Sequence, residues 1–130
     1  MPVHFGSIKK GTEWERNDLA KLWGYRSFHA IARGVFTPAR QKIIVLFVTE
    51  DKQESATQYK DRLDGQTLYW EGEDGHRNDA RIDSAEENSD TIHIFYRERH
   101  HSPFKYLGQG HVKSSKILSH QPSKFTFDLT

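Results

Sequence analysis

The 130-residue chain contains no cysteine, which excludes disulfide frameworks, thiolate nucleophiles and cysteine-based zinc sites together and fits a reducing cytoplasm. Long apolar runs are missing too. No segment approaches the roughly 18 consecutive apolar residues of a membrane-spanning helix. The opening MPVHFGSIKKGTEW lacks the apolar core of a signal peptide, so a soluble, cytoplasmic protein with no membrane partner is expected. Catalytic signatures are equally scarce: there is no HExxH, no GxxxxGK[ST] loop, no Gly-rich dinucleotide fingerprint and no Ser/His/Asp motif. The histidines lack ligand spacing, and carboxylate pairs such as Glu71 with Glu73 occur in any acidic loop. The expectation is a domain that is not an enzyme and needs no cofactor or metal. Repeats, linkers and low-complexity tracts are absent as well, so residues 1–130 read as one domain.

Hydrophobic residues make up only 35% of the chain and mean hydropathy is −0.83. Eight Phe, five Tyr and three Trp offset this with large rings to bury. The net charge of +1 hides a division along the chain. Residues 1–49 carry eight Lys/Arg against three Asp/Glu, residues 50–90 five against thirteen, and residues 91–130 six against two. Basic ends folded onto one face would attract a polyanion, the footprint of a nucleic-acid binder, whereas simple surface mixing would not.

Periodicity gives the elements. NDLAKLWG reads as a short amphipathic helix, capped by Asn17 or Asp18, with Leu19, Leu22 and Trp23 inward and Gly24 as its stop. YRSFHAIARGVFTP has no clean period and predicts irregular chain with a short strand near residues 31–36. The continuous run IIVLFV predicts a central strand buried on both faces. Residues 51–64, with Ala56, Tyr59 and Leu63 at helical spacing, predict a loop or weak helix ending at Gly65. TLYWEGE predicts a strand entering an EGEDGH turn, and Asn78 or Asp79 caps a second helix over 80–88 with Ile82 and Ala85 inward. DTIHIFYRER alternates Ile92, Ile94 and Tyr96 against His93, Phe95 and Arg97; FKYLGQGHV is a strand broken by glycines, and KFTFDL a last one. The fold class is therefore α+β, mainly β, as a small curved sheet or closed barrel with two or three short helices.

The segments GTEWERNDLAKLWGYRSFHAIARGVFTP, IIVLFVTEDKQESATQY, LYWEGEDGHRNDARI and IHIFYRERHHSPFKYLGQG resemble a bacterial domain of uncharacterised function. That domain is found C-terminal to phospholipase-D-like nuclease and superfamily 2 helicase modules in restriction-type proteins. The resemblance covers about residues 8–112 and leaves the last eighteen outside. It implies a target reader for double-stranded DNA, modified at a base such as 5-methylcytosine, with cleavage and ATP hydrolysis done by the partner helicase and nuclease modules. By analogy of role and strand count with SRA and EVE readers, it implies a PUA-like barrel with an aromatic pocket.

Three stretches carry the candidate chemistry. In RERHHSPFKY, Arg97 and Arg99 alternate onto one face, Ser102 donates and Pro103 fixes a turn, which suits phosphate. His100 and Lys105 add to that DNA-binding set, while His101, Phe104 and Tyr106 are candidates for a base pocket or for the core. In YRSFHAIARG, Tyr25, Phe28 and His29 follow a helix stop, with Arg26 and Arg33 as phosphate contacts. In LYWEGEDGH, Trp70 offers a ring and Glu71 an acceptor for a cytosine amine, unless the ring is core and the carboxylate solvated. A phosphorothioate reader, a module docking helicase to nuclease and a metal-dependent nuclease remain alternatives.

Overall fold

The run IIVLFV forms a strand covered on both sides, and the other elements are placed by how they cover it. A computed structural model describes residues 3–51, 61–72 and 75–130. In chain order the elements are β1 (Glu13–Trp14), α1 (Arg16–Leu22), a 3-10 turn (Phe28–Ile31), β2 (Val35–Phe36), β3 (Ile43–Asp51), β4 (Arg62–Asp64), β5 (Thr67–Glu71), α2 (Asp79–Asp83), α3 (Ala85–Asn88), β6 (Thr91–Arg99), β7 (Phe104–Lys116) and β8 (Lys124–Leu129). The helical spacing of Ala56 and Tyr59 lies outside the described residues, as do Glu73 and Asp74 of the EGEDGH turn.

The strands form one mixed sheet in the order β2-β3-β6-β7-β8-β5-β4, with β1 paired to the start of β7. Only β3 and β6 run parallel among the described pairs; their register sets Ile44 against Ile92 and Thr49 against Arg97. Among the described residues nothing pairs β2 with β4, so the sheet is open. The fold is α+β and mainly β, as expected, but the hydrogen bonding does not close it into a barrel. Strand β3 has neighbours on both sides yet stands second in the path, and the middle belongs to β7. The two-residue β1 and β2 and the three-residue β4 escape a reading by period, because so few residues show no alternation. The predicted strand over 31–36 shrinks accordingly to Val35–Phe36, since Ile31 ends the 3-10 turn.

Alternation along β3 and β6 divides the core in two. Ile44, Leu46 and Val48 join Ile92, Ile94 and Tyr96, and this side is filled by Leu68, Trp70, Phe125 and Phe127 and covered by Ile82 and Ala85. Val45, Phe47 and Phe95 point the other way, packing with Phe104 and Tyr106 beneath Leu19 and Ala20 of α1, its C-cap Trp23, and Val3 and Ile8. The predicted second helix is split at Ser84 into α2 and α3, although Ile82 and Ala85 do face inward. Glycines do not break β7. Gly108 takes φ +92 beside the register shift between Ile94 and Phe95, and a Cβ on Gly110 would lie 2.5 Å from the Ile94 Cδ1. Each glycine admits a close neighbour or a conformation that another residue would resist.

A polar contact is sealed within the second cluster. His93 is 6% exposed, with Nδ1 2.7 Å from the Tyr106 hydroxyl and Nε2 3.0 Å from the Thr91 hydroxyl. The Phe5 ring stacks on its imidazole at 3.7 Å. Burial pushes His93 down to about 4 from 6.5 and Tyr106 up to about 12, so both are neutral at pH 7.

Two outcomes follow. Gly108→Ala forces a β-carbon onto a positive φ and is expected to cost about 1–2 kcal/mol, read as a lower urea midpoint at unchanged m; an unshifted midpoint would contradict the backbone assignment. For His93, the unfolded chain binds a proton near 6.5 and the native chain only near 4. Between those values the unfolded state holds more protons, so stability falls as pH falls, by on the order of 3 kcal/mol. Urea midpoints from pH 7 to 4 should decline through that window in the wild type and more gently in His93→Gln.

Candidate nucleic-acid interface

Helix α1 begins two or three residues earlier than its sequence suggests. Glu15 is the cap, and its backbone N–H donates to the Asp18 carboxylate at 3.2 Å, so Asn17 and Asp18 lie inside the first turn. This start makes Arg16 the first helical residue and lays its side chain across the second core cluster. Its guanidinium carbon is 4.7 Å from the Phe47 ring centroid and 4.9 Å from that of Phe104, and Nε donates to the Ile31 carbonyl at 3.1 Å. From β6, Arg97 reaches the same Phe104 ring at 4.2 Å. Arg97 Nε donates to the Thr49 hydroxyl at 2.8 Å and Nη1 to the Ser102 carbonyl at 3.3 Å.

Two guanidinium groups thus share one aromatic ring. Burial, and then the charge of Arg97, pushes Arg16 down to about 10, and burial also lowers Arg97. Both stay charged at neutral pH. Among the described residues neither forms an ion pair; the ion pairs are His76 with Asp79 and Arg81 with Asp90. Ring faces contribute about 0.5–2 kcal/mol per cation, which offsets part of the desolvation and none of the mutual repulsion.

The pair borders a cleft of about 200 Å³ that also takes in Asn17, Phe28, His101 and Ser102. Phe28 is 38% exposed and stacks on the His29 ring at 4.4 Å and 24°. The Ser27 hydroxyl fixes this platform by accepting the His29 backbone N–H at 3.3 Å. His101 sits at φ 68 in the β6–β7 turn and is exposed. Beyond Arg97 and Ser102 a wider groove of about 550 Å³ is lined by Arg99, Lys105, Tyr96 and Leu63. Burial first, then a hydrogen bond to Glu50, holds the Tyr96 phenol well above the usual tyrosine range.

The residues singled out in the sequence separate into two groups. Phe28, His29, His100, His101, Ser102, Arg26, Arg33, Arg99 and Lys105 are exposed, and Arg97 and Tyr25 half-buried, with Tyr25 packed edge-on to Phe36 at 5.8 Å. Trp70, Phe104 and Tyr106 are core. Trp70 is 5% exposed between Phe125 and Phe127, while Phe104 at 1% and Tyr106 at 6% belong to the other cluster. Trp70 therefore lies apart from the other two, and although Phe104 borders the cleft with Phe28 and His101, none of the three offers a free face to a base. Glu71 is half-buried at the end of β5, opposite Lys124 of β8. Arg16 carries no signal in isolation, and Asn17 and Phe47 read from sequence only as a helix cap and a buried strand residue. Only their place in the resembling segments marks them. Among the described residues no three His, Asp or Glu side chains gather as metal ligands.

A family model for a domain of unknown function, DUF3427, matches residues 8–128. The chain belongs to this family. The match carries the earlier limit of 112 onward through the whole of β7 and nearly all of β8, so those strands are part of the DUF3427 domain. No curated protein matches the sequence. Among solved structures, the DNA modification-dependent restriction endonuclease AspBHI is similar at a TM-score of 0.56 and 17% identity, over 93% of this chain and 74% of that one. The DNA recognition domain of the cytosine modification-dependent restriction endonuclease LpnPI gives a TM-score of 0.47 at 14% identity, over 92% and 70%. The AspBHI likeness shows a shared fold.

Burial separates ring roles by experiment. Trp70→Ala and Phe104→Ala are expected to lose about 3–5 kcal/mol each, and Phe28→Ala within about 0.5 kcal/mol. Denaturant titration of the three variants checks this, and a Phe28 loss as large as the others would return that ring to the core.

Proposed function

We propose that this DUF3427 domain is the DNA-binding target-recognition part of a modification-dependent restriction or defence protein, reading modified double-stranded DNA. One observation carries the reading: a half-exposed ring, two arginines without acidic partners among the described residues and the 101–102 turn, from three segments, meet in one cleft. Charge serves the backbone and a ring serves a base, and few other ligands need both. The fold shared with AspBHI supports it.

In this reading Phe28 is the stacking surface, worth about 1–3 kcal/mol against a base, and His29 and His101 approach the base edge. Arg97 and Ser102 hold phosphate, and Arg26, Arg33, Arg99, His100 and Lys105 extend the contact along the duplex. The mark is a modified base such as 5-methylcytosine. Extruding it costs a few kcal/mol, which stacking and phosphate contacts offset. The domain reads and does not cut; nuclease and helicase modules of a parent protein act on the DNA it selects.

The test is a binding series with unmodified, 5-methylcytosine, hydroxymethylcytosine, N6-methyladenine and phosphorothioate duplexes. Modified duplexes should bind tighter, and Phe28→Ala should remove the preference while keeping weak general binding. Arg97→Glu with Arg99→Glu should weaken every duplex and flatten the salt dependence. Equal, salt-independent affinity for all duplexes would sink the reader and favour a protein-docking module.

A further inference from the structure

We propose that Arg16 and Arg97 together form a single oxyanion seat, in which both guanidinium groups hold one phosphodiester of the nucleotide whose neighbour stacks on Phe28. This deepens the DNA-reader reading and rests on it.

The geometry supplies three arguments. The two side chains approach one ring, Phe104, at 4.9 and 4.2 Å, so their charges are close enough that Arg97 depresses Arg16. Two cations held against one ring and lining one cleft can both reach a single phosphate, whose oxygens accept from both planar forks. Donor accounting is the second argument. The Arg16 Nε is taken by Ile31, and the Arg97 Nε and Nη1 by Thr49 and Ser102. Both terminal amino groups of Arg16 and one of Arg97 have no acceptor among the described residues, and both side chains belong to residues that line the cleft. Third, the pair is built in advance. Phe47 and Phe104 clamp the Arg16 plane, and Thr49 orients Arg97 across the parallel register, so little side-chain freedom is lost on binding. Glu15 also lines the cleft but pairs with neither arginine.

A shared phosphate makes a specific prediction about salt. Each phosphate neutralised on a duplex contributes about 0.9 to the slope of log affinity against log salt. Arg16→Met and Arg97→Met should each lose roughly ten- to hundredfold in affinity and about 0.9 in slope. The double variant should lose no more slope than either single one. A double variant losing twice as much means two phosphates and overturns the seat, as does an unchanged slope in either single variant. Arg16→Lys keeps charge without the planar fork and should behave as Arg16→Met; full recovery by lysine would reduce Arg16 to general electrostatics. Circular dichroism confirms that each variant is folded, and Arg97→Met, on a half-exposed side chain, carries the test if Arg16→Met is not.

If the wild type binds no duplex, the reader fails alone and the seat is decided by melting. Inorganic phosphate at tens of millimolar, against chloride of equal ionic strength, should raise the wild-type Tm and leave Arg97→Met and Arg16→Lys unmoved. An equal rise in wild type and variants, or none in any, overturns the seat.

Discussion

The parallel pairing of β3 with β6 is the constraint on which the rest of the fold depends. Two strands with apolar side chains on both faces need cover on both faces, and a parallel connection needs a long crossover. The chain meets both demands with separate material. Residues between β3 and β6 supply β4, β5, α2 and α3, all on the side of Ile44 and Leu46; residues before β3 supply α1 and the segment beneath it, on the side of Val45 and Phe47. Because the strands run the same way, their C-terminal ends emerge together, with Thr49 opposite Arg97 and Asp51 opposite Arg99. The cationic cleft is a product of that pairing.

Phe104 links this core to the cleft. Its ring is 1% exposed and packs edge-on to Phe47 at 5.2 Å, yet its remaining surface receives two guanidinium groups. A residue wholly in the core can therefore shape a binding site without touching the ligand. Lysine could not replace either arginine here, since a strongly hydrated ammonium resists burial and lacks a flat face to lie on a ring.

Legibility in the sequence followed burial pattern. The strands IIVLFV, TIHIFY and KFTFDL were readable because alternation or continuous apolarity extends over six residues, and so was the inward face of α1. Short elements were not readable, nor was the cap at Glu15, whose partner Asp18 looked like the cap itself. Aromatics near cations were the weakest guide to a site. RERHHSPFKY correctly suggests a strand ending in a cationic turn, but one-dimensional proximity cannot separate Phe104, which is buried, from His101, which is exposed in the turn at a positive φ. Arg16 was out of reach because its importance arises from Phe47 and Phe104, which are 31 and 88 residues away.

The acidic middle of the chain raises an electrostatic objection to any polyanion, and the fold answers it in two ways. Some of those carboxylates are consumed internally. Asp90 takes two hydrogen bonds from Arg81 at 3.2 and 3.0 Å, Asp79 sits 2.8 Å from His76, and Asp61 accepts the Glu71 N–H at 3.0 Å, all three on largely buried side chains. The exposed ones on α2 and α3, Asp83, Glu86 and Glu87, belong to helices whose Ile82 and Ala85 pack on the first core cluster, the face of β3 and β6 opposite Arg16. A packed layer is about 10 Å thick, while salt screens exposed charges over about 8 Å at physiological strength. The acids behind the sheet are thus largely invisible to a phosphate in front of it, and the charges such a phosphate would meet are those lining the two clefts: Arg16, Arg97, Arg99 and Lys105 with Glu13, Glu15 and Glu98.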